Sequence, residues 1–349
     1  MPSESSVASG TVRCGSRASA AAVLIYVGVV NAGGGTGQVL AVTHATATPS
    51  PTPSVTPSNT PSPSPTPLCP GSTLISSCAL IVADVDGSTV WAVSGSSATS
   101  AGTTTVVTQS VQYPAGVFVT GAGILFIASE AGYIYKMDVC YGLGAPTVIV
   151  SLGGTTLTDV AVFGNDLYVA DYSSGTIWRY PNGVTGCTAA APCGTGSGRV
   201  AVGGAGAFTN PFGFYIAPNG DVYVSNTNFN PGQIVKVPAA GGSNVVVVSG
   251  LGNTAGVFVT AGGDVVASYN AAGAVAYVPA SALPCTNPAP YSLGNIGNNH
   301  GVYVTQAGVV YSACDGCKAV KRTTSSGGGW TTVGSGMNSP QGITSSCNA

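Results

Sequence analysis

Residues 211–225 read PFGFYIAPNGDVYVS, and this stretch decides the fold. Two runs rich in aromatic and β-branched residues flank Asn219-Gly220, a dipeptide typical of two-residue hairpin turns. Short runs of this kind, bounded by turn residues, indicate strands rather than helices. The stretch therefore predicts a β-hairpin.

The first half of this hairpin, PFGFYI, is one of six related copies along the chain. The copies begin at Pro114, Thr158, Pro211, Thr254, Asn299 and Pro340. The steps between them are 44, 53, 43, 45 and 41 residues. A repeat of roughly 40–45 residues that consists only of strands is typical of a β-propeller blade. Each repeat divides into four strands, with the copied motif as the first.

The first repeat lacks this motif strand. Residues 80–84 (LIVAD) align with residues 167–171 (LYVAD), which form the second strand of a later repeat. We expect residues 342–346 at the C-terminus to supply the missing strand, because closing the ring removes the open sheet edge. The predicted fold is all-β: a six-bladed β-propeller whose C-terminal strand closes the first blade, preceded by a disordered Pro/Ser/Thr-rich stalk.

The region before the propeller predicts export. Arg13 and Arg17 precede an apolar run over 20–30, followed by small residues, so we interpret 1–32 as a signal peptide. This run is too short for a membrane span of about 20 residues, and an uncleaved anchor is the alternative. Residues 33–68 contain a proline-rich tract that suits either an O-glycosylated extended stalk or a plain linker. Residues 69–349 hold the propeller, which we expect to be secreted and extracellular, without a membrane span in the mature chain.

Composition excludes one class of partner. Only 6% of the residues are charged, against about 25% in an average domain, and the net charge is −2. Nucleic-acid binding needs clustered Lys and Arg to neutralise phosphates. No basic stripe occurs in this sequence, so we expect no nucleic-acid partner.

The sequence pattern of the repeat resembles that of NHL repeats and of the broader gluconolactonase-like six-bladed propellers. The motif and hairpin of 211–225 carry this resemblance, together with a cation that recurs on the third strand at Lys136, Arg179, Lys236 and Lys321. The resemblance implies the fold. For gluconolactonase-like enzymes it also implies a divalent metal at the tunnel mouth, held by Glu, Asn and Asp. At the positions before the motif glycine, only Asp159 supplies such a carboxylate. Peptidyl-hydroxyglycine lyases, a second NHL-type family, use several His at a zinc, whereas this domain has only His300.

The cysteines suggest three disulfide bonds. The repeat alignment places Cys78 and Cys347 at one end of the hairpin that closes the ring. Cys187–Cys193 would tie a long loop, and Cys314–Cys317 would bridge a tight turn. Cys69, Cys140 and Cys285 remain, with at least one expected to be unpaired. A redox role for Cys314 and Cys317 would require a helix at the first thiolate, and none is predicted there.

In a propeller, the loops before the first strand and after the second strand of each blade open on one side of the central tunnel, here called the tunnel face. The candidates for ligand binding on this face are Asp84, Glu130, Asp159, Asp171, Asn226, His300 and Gln341. Their oxygen atoms suit a hard cation such as Ca²⁺, with Asp159, Asp171 and Asn226 as the metal ligands. The alternatives are structural: Asp84 and Asp171 would cap blade loops, and His300 would bond a neighbouring blade near Gln341.

Two functions are compatible with these residues. The favoured hypothesis is a binding or structural module of an extracellular coat that recognises an unknown protein or glycan on the tunnel face. The alternative is a metal-dependent hydrolase, lactonase or lyase of the gluconolactonase-like class. The sequence contains no G-x-S-x-G, P-loop or H-E-x-x-H motif, so it assigns no catalytic residue.

Overall fold

A computed structural model describes residues 79–94, 102–140, 144–227, 231–269 and 273–346. The predicted signal peptide, the stalk and the first ten residues of the predicted propeller domain lie outside these ranges. The described residues form six antiparallel sheets of four strands. Each innermost strand contacts the innermost strands of the two neighbouring sheets, and these contacts run full circle. The chain is therefore a six-bladed β-propeller, as predicted.

The first three blades contain the first eleven described strands and the last one. From the inside outward, blade 1 contains β24 (Pro340–Ser345), β1 (Leu80–Asp84), β2 (Thr89–Ser94) and β3 (Thr103–Thr108). Blade 2 contains β4 (Pro114–Val119), β5 (Ile124–Ser129), β6 (Tyr133–Asp138) and β7 (Thr147–Ser151). Blade 3 contains β8 (Leu157–Phe163), β9 (Asp166–Asp171), β10 (Thr176–Tyr180) and β11 (Val200–Val202).

The other three blades follow in chain order. Blade 4 contains β12 (Pro211–Ile216), β13 (Val222–Asn226), β14 (Gly232–Val237) and β15 (Val245–Leu251). Blade 5 contains β16 (Thr254–Val259), β17 (Val265–Tyr269), β18 (Ala274–Val278) and β19 (Ser292–Asn295). Blade 6 contains β20 (Asn299–Val304), β21 (Val309–Cys314), β22 (Ala319–Thr324) and β23 (Thr331–Ser335). The described helices are short: α1 (Gly183–Gly186) and two 3-10 turns, Ala280–Ala282 and Ala289–Tyr291.

The C-terminal strand closes the ring as expected. Strand β24 pairs with β1, with Leu80 opposite Ser345 and Asp84 opposite Pro340. The backbone N–H of Ser346 donates to the carbonyl of Ala79 at 2.9 Å, which continues this pairing by one residue. Cys78 and Cys347, the predicted bridge, lie just beyond the described residues, so that disulfide stays a prediction.

The motif in blade 3 begins one residue earlier than the sequence alignment suggested. Asp159 pairs with Ala170 in the same way as Gly116 pairs with Ala128 in blade 2. Leu157, fully buried, therefore takes the position of the motif's first residue, Pro114. The alignment was wrong because it favoured Thr158 as the first residue over an apolar side chain that the core requires. Asp159 occupies the position of the motif glycine, not the position before it.

The third-strand cation of blade 6 is also shifted by one residue. Lys236 lies opposite Tyr223, and in blade 6 the equivalent partner of Tyr311 is Arg322, not Lys321. Where this cation has a carboxylate beside it, the pair lies on the side opposite the tunnel face. Lys236 contacts Asp221 there at 3.4 Å.

The motif glycines let the inner strands approach each other closely. A Cβ atom on Gly301 would lie 2.4 Å from the carbonyl oxygen of Gln341, and one on Gly342 would lie 2.4 Å from that of Ala115. Both distances are shorter than any tolerable contact, so glycine is required at these points. Five blades have glycine at this position, and blade 3 has Asp159 instead.

Candidate functional site

The inner strands enclose a central cavity of about 430 Å³. Its lining is mainly valine, glycine, alanine and aromatic residues from all six blades. Among the described residues that line it, Asp159 is the one Asp, Glu, Lys, Arg or His side chain. The cavity is therefore a largely apolar chamber that contains a single carboxyl group.

The carboxylate of Asp159 links two blades. Its Oδ2 accepts a hydrogen bond from the backbone N–H of Phe214 in blade 4 at 2.9 Å, and its Oδ1 accepts one from Val160 at 2.9 Å. Asp159 is partly exposed, and it lines the cavity. Burial raises the pKa of Asp159 to about 7, although the two N–H donors act in the opposite direction.

Aromatic side chains occupy one register level in three consecutive blades. The ring centroids of Tyr215 and Phe258 are 4.6 Å apart, and those of Phe258 and Tyr303 are 5.6 Å apart. All three residues line the cavity. They form an arc across blades 4 to 6, whereas the same level of blade 3 carries only Ala161.

At the tunnel-face end, two rings meet across an intervening blade. The rings of Phe212 in blade 4 and His300 in blade 6 lie 5.1 Å apart between centroids, and blade 5 has the small Ala255 between them. His300 Nε2 is 4.0 Å from Asp315 Oδ2. Burial lowers the pKa of His300 to about 4, although the charge of Asp315 raises it. The imidazole is therefore neutral near pH 7.

Two buried acceptors near this end have no hydrogen-bond partner among the described residues. They are His300 Nδ1 and Gln341 Oε1. Gln341 lines the cavity and is 9% exposed. The backbone carbonyl of His300 accepts a hydrogen bond from Ser268 Oγ in blade 5. His300 thus does bond a neighbouring blade, through its own backbone carbonyl and the side chain of Ser268.

Hydrogen bonds within the fold occupy the carboxylates of Asp84 and Asp171. Asp84 accepts from Trp91 Nε1 at 3.1 Å, and Asp171 accepts from Trp178 Nε1 at 3.2 Å. Both also accept a backbone N–H three residues ahead, which fastens the turn to the next strand. Both side chains are buried. The structure places these two residues in the capping role that the sequence offered as their alternative.

Asn226, at the equivalent position in blade 4, also has an internal partner. Its Oδ1 accepts from the backbone N–H of Thr209 at 2.5 Å. The three oxygen donors proposed for a metal, Asp159, Asp171 and Asn226, are therefore all hydrogen-bonded within the protein. Among the described residues, no group of three His, Cys, Asp or Glu could hold a metal ion. The metal site remains a prediction.

Glu130 lies in a different environment, beside an exposed tyrosine. Its backbone N–H donates to the carbonyl of Tyr113 at 3.0 Å. Tyr113 is 47% exposed, and its backbone has a left-handed φ of 48°. Burial, and next the charge of Asp86, raise the pKa of Glu130 above its ordinary value. The backbone hydrogen bond and the charge effect thus place Tyr113, Glu130 and Asp86 near one another on the tunnel face, where blades 1 and 2 meet.

Two predicted disulfides are present. Cys187 is bonded to Cys193, and Cys314 to Cys317. Cys314 is the last residue of the second strand of blade 6, as Asp84 and Asp171 are in blades 1 and 3. The Cys314–Cys317 disulfide therefore fastens the turn that the two carboxylates fasten in their own blades. Cys140 and Cys285 are also disulfide-bonded, so neither is the unpaired cysteine that was expected.

Sequence reasoning missed Tyr113 and the aromatic arc. The arc was visible as aromatic residues two positions after the motif glycine in blades 4 to 6. Tyr113 could be compared with Asn210, which precedes the motif proline of blade 4 and also has a left-handed φ. Asparagine adopts that conformation more readily than tyrosine does. The sequence alone does not show which residues have a left-handed backbone, so the strain at Tyr113 could not be predicted.

Comparisons with known proteins bear on the fold alone. No protein-family profile and no curated protein matches the chain. A chain in the crystal structure of a nidogen/laminin complex aligns with a TM-score of 0.63 and 15% identity, over 77% of this chain and 98% of that one. The chain has an NHL-like six-bladed β-propeller fold. This confirms the architecture that the repeats suggested.

Two lyase structures are more distant. A streptogramin B lyase aligns with a TM-score of 0.48 and 13% identity, over 66% of this chain and 72% of that one. Virginiamycin B lyase from Staphylococcus aureus aligns with a TM-score of 0.45 and 15% identity, over 66% of this chain and 73% of that one. Similarity at this level does not transfer an activity. Separately, the described part of the chain contains no helix of sufficient length and apolarity to cross a membrane.

Proposed function

We propose that this propeller is a binding module of an extracellular coat or matrix, and that it recognises a protein or glycan on the tunnel face between blades 1 and 2. The contact centre is Tyr113, flanked by Glu130 and Asp86. The disulfide bonds are compatible with the oxidising compartment that this role requires.

The observation that carries the proposal is the strained and exposed Tyr113. A left-handed backbone costs a residue with a Cβ about 1–2 kcal/mol, and a large side chain at such a position is a genuine outlier. Tyr113 gains little in return from burial, because nearly half of the residue is exposed. Asn210 has the same left-handed conformation in blade 4, so the fold uses this conformation without needing a tyrosine at it. Residues that add such strain are concentrated at functional sites in proteins. Tyrosine is also enriched among the residues that dominate binding energies.

The charges beside Tyr113 indicate the kind of partner. Asp86 is exposed, and the pKa of Glu130 is raised by burial and by Asp86, so a nearby cation would relieve the repulsion between the two carboxylates. A protein that presents Lys or Arg around an apolar contact fits this surface best. A protein partner also has a solved precedent in the fold, since the nidogen structure is that of a complex with laminin.

The alternative remains a metal-dependent hydrolase, lactonase or lyase. The observation that favours it is Asp159, a carboxyl group in a central cavity with a pKa near 7. We rank it second, because the other two proposed metal ligands are engaged in fastening loops.

A peptide-display selection against the full chain tests the binding module. We expect peptides rich in Lys and Arg to be selected, and their Kd, measured by calorimetry, to rise at least tenfold in Tyr113→Asn and in Glu130→Gln. Asp264→Asn is the matched control, because this carboxylate lies on the opposite side and accepts from Tyr277. Selected peptides that bind all variants equally would contradict the proposal. A glycan array is probed in parallel. Neutral glycans that bind the native chain and Glu130→Gln but not Tyr113→Asn would identify a glycan as the partner.

A further inference from the structure

We infer that the central cavity is a second binding site, and that it takes a small organic ammonium ion whose N–H groups donate to Asp159. This site lies inside the ring and does not depend on the tunnel-face contact of Tyr113. Its evidence is a chamber of defined volume, an unneutralised carboxylate, an unpartnered amide oxygen and an aromatic arc.

The carboxylate in this chamber is not explained by the fold. Blades 4 and 5 bond the next blade with neutral hydroxyls on their second strands: Ser225 Oγ donates to the carbonyl of Ala255 at 2.6 Å, and Ser268 Oγ to that of His300. A neutral side chain is therefore sufficient for this link. Blades 3 and 4 also have a neutral link, because Thr158 Oγ1 donates to the carbonyl of Pro211 at 3.1 Å. Asp159 adds a second link with a group that is costly to bury in ionised form.

The carboxylate also has no cationic partner in the described structure. Its two hydrogen bonds come from backbone N–H groups of Val160 and Phe214, and no described Lys or Arg lines the cavity. The other titratable side chains of the lining are the phenols of Tyr215 and Tyr303. His300 lies at the cavity end and is neutral near pH 7. A bound cation would supply the missing charge.

The remaining polar and aromatic groups select the form of that cation. Gln341 Oε1 is an acceptor without a partner, so a ligand with several N–H donors suits the site better than one without any. Tyr215, Phe258 and Tyr303 offer ring faces, which attract cations and bury apolar carbon. A primary ammonium with a short apolar body meets all three requirements.

The volume agrees with this class. About 430 Å³ is within the range of roughly 300–1,000 Å³ that is usual for small-molecule sites. A folded protein would not fit within it. The site therefore suits a small organic molecule.

Calorimetry on the full chain with three probes of one shape tests the inference. The probes are benzylammonium, benzyl alcohol and benzoate, which differ in charge and hydrogen-bonding capacity. We expect saturable binding of benzylammonium at pH 8, at least tenfold tighter than benzyl alcohol, and no binding of benzoate. In Asp159→Asn the benzylammonium affinity should fall at least tenfold, to that of benzyl alcohol.

Two further variants keep the test decisive. Asp159→Gly restores the residue that five blades have at this position, so it gives a folded chain without the carboxylate if the amide variant fails to fold. Asp166→Asn in the same blade is the matched control, because that carboxylate pairs with Arg179 outside the cavity. Equal affinities for benzylammonium and benzyl alcohol, no saturable binding, or unchanged binding in Asp159→Gly would each overturn the inference.

Discussion

Asp84 Oδ1 accepts a hydrogen bond from the backbone N–H of Ser339 at 2.7 Å, although the two residues are 255 positions apart. Asp84 Oδ2 accepts a second from Asn338 at 2.9 Å. One buried carboxylate thus holds the first described strand to the loop that leads into the last one. The pairing of β24 with β1 closes the sheet of blade 1, and Asp84 fastens this closure at the tunnel-face end.

Replacing Asp84 with alanine should destabilise the propeller more than replacing Asp171. Both carboxylates bond a Trp and a turn N–H, but only Asp84 also bonds the closing segment. Each buried donor left without a partner costs about 1–3 kcal/mol. We expect Asp84→Ala to lower the free energy of unfolding by about 3 kcal/mol or more, and Asp171→Ala by about half as much. Urea unfolding measures both, and equal losses would show that Asp84 plays no special part in ring closure.

Cys78 and Cys347 should form the disulfide that completes this closure. The register of β24 and β1 places Leu80 opposite Ser345. If this register continued for two more residues, Cys78 would lie opposite Cys347. Opposed residues in an antiparallel pair have Cα atoms about 4.5–5.5 Å apart, which a disulfide can span. Peptide mapping without reduction should recover one fragment that contains both cysteines.

The same bond should contribute more stability than a bond across a short loop. In the loop-entropy model the stabilisation rises with the length of the closed loop, to about 5 kcal/mol for loops of this size. Cys347→Ser should therefore lower Tm more than Cys193→Ser, whose bond closes a loop with a sequence separation of 6. The reverse order of Tm values would argue against the pairing.

The fold could be predicted because it depends on patterns that survive in the sequence. The period of the PFGFYI copies, the hairpin signal at Asn219-Gly220 and the missing first strand were sufficient for six blades and their closure. The site depends on register, which a single residue can change. Matching Thr158 rather than Leu157 to Pro114 placed Asp159 before the motif glycine, whereas it replaces that glycine. The backbone strain at Tyr113 and the hydrogen bonds of Asp84 depend on contacts between distant parts of the chain.

Tyr113→Asn should make the protein more stable and less able to bind. Asparagine adopts the left-handed conformation at lower cost, as Asn210 does at the equivalent position of blade 4. We expect the free energy of unfolding to rise by about 1 kcal/mol, because the exposed ring contributes little packing. Urea unfolding measures the gain. The reverse exchange, Asn210→Tyr, should destabilise, since it adds strain and removes a hydrogen bond to the carbonyl of Tyr172. A loss of stability in Tyr113→Asn would mean that the tyrosine is structural.

Asp159 should give the protein a stability that falls as the pH rises. Its pKa is about 7 in the folded chain and 3.8 in the reference state, so the folded chain binds the proton more tightly. The stabilisation is complete below about pH 4 and is lost as the pH rises to about 7. The free energy lost is on the order of 4 kcal/mol, because each pKa unit corresponds to about 1.4 kcal/mol. His300 acts in the opposite direction, because its pKa of about 4 is below its ordinary value.

The Tm of Asp159→Asn is compared with the Tm of the native chain at each pH. Both proteins contain His300, so its contribution cancels in the difference. We expect this difference to shift in favour of the variant between pH 4 and pH 8. Parallel Tm curves for the two proteins would show that Asp159 titrates with an ordinary pKa and that the cavity is open to bulk water.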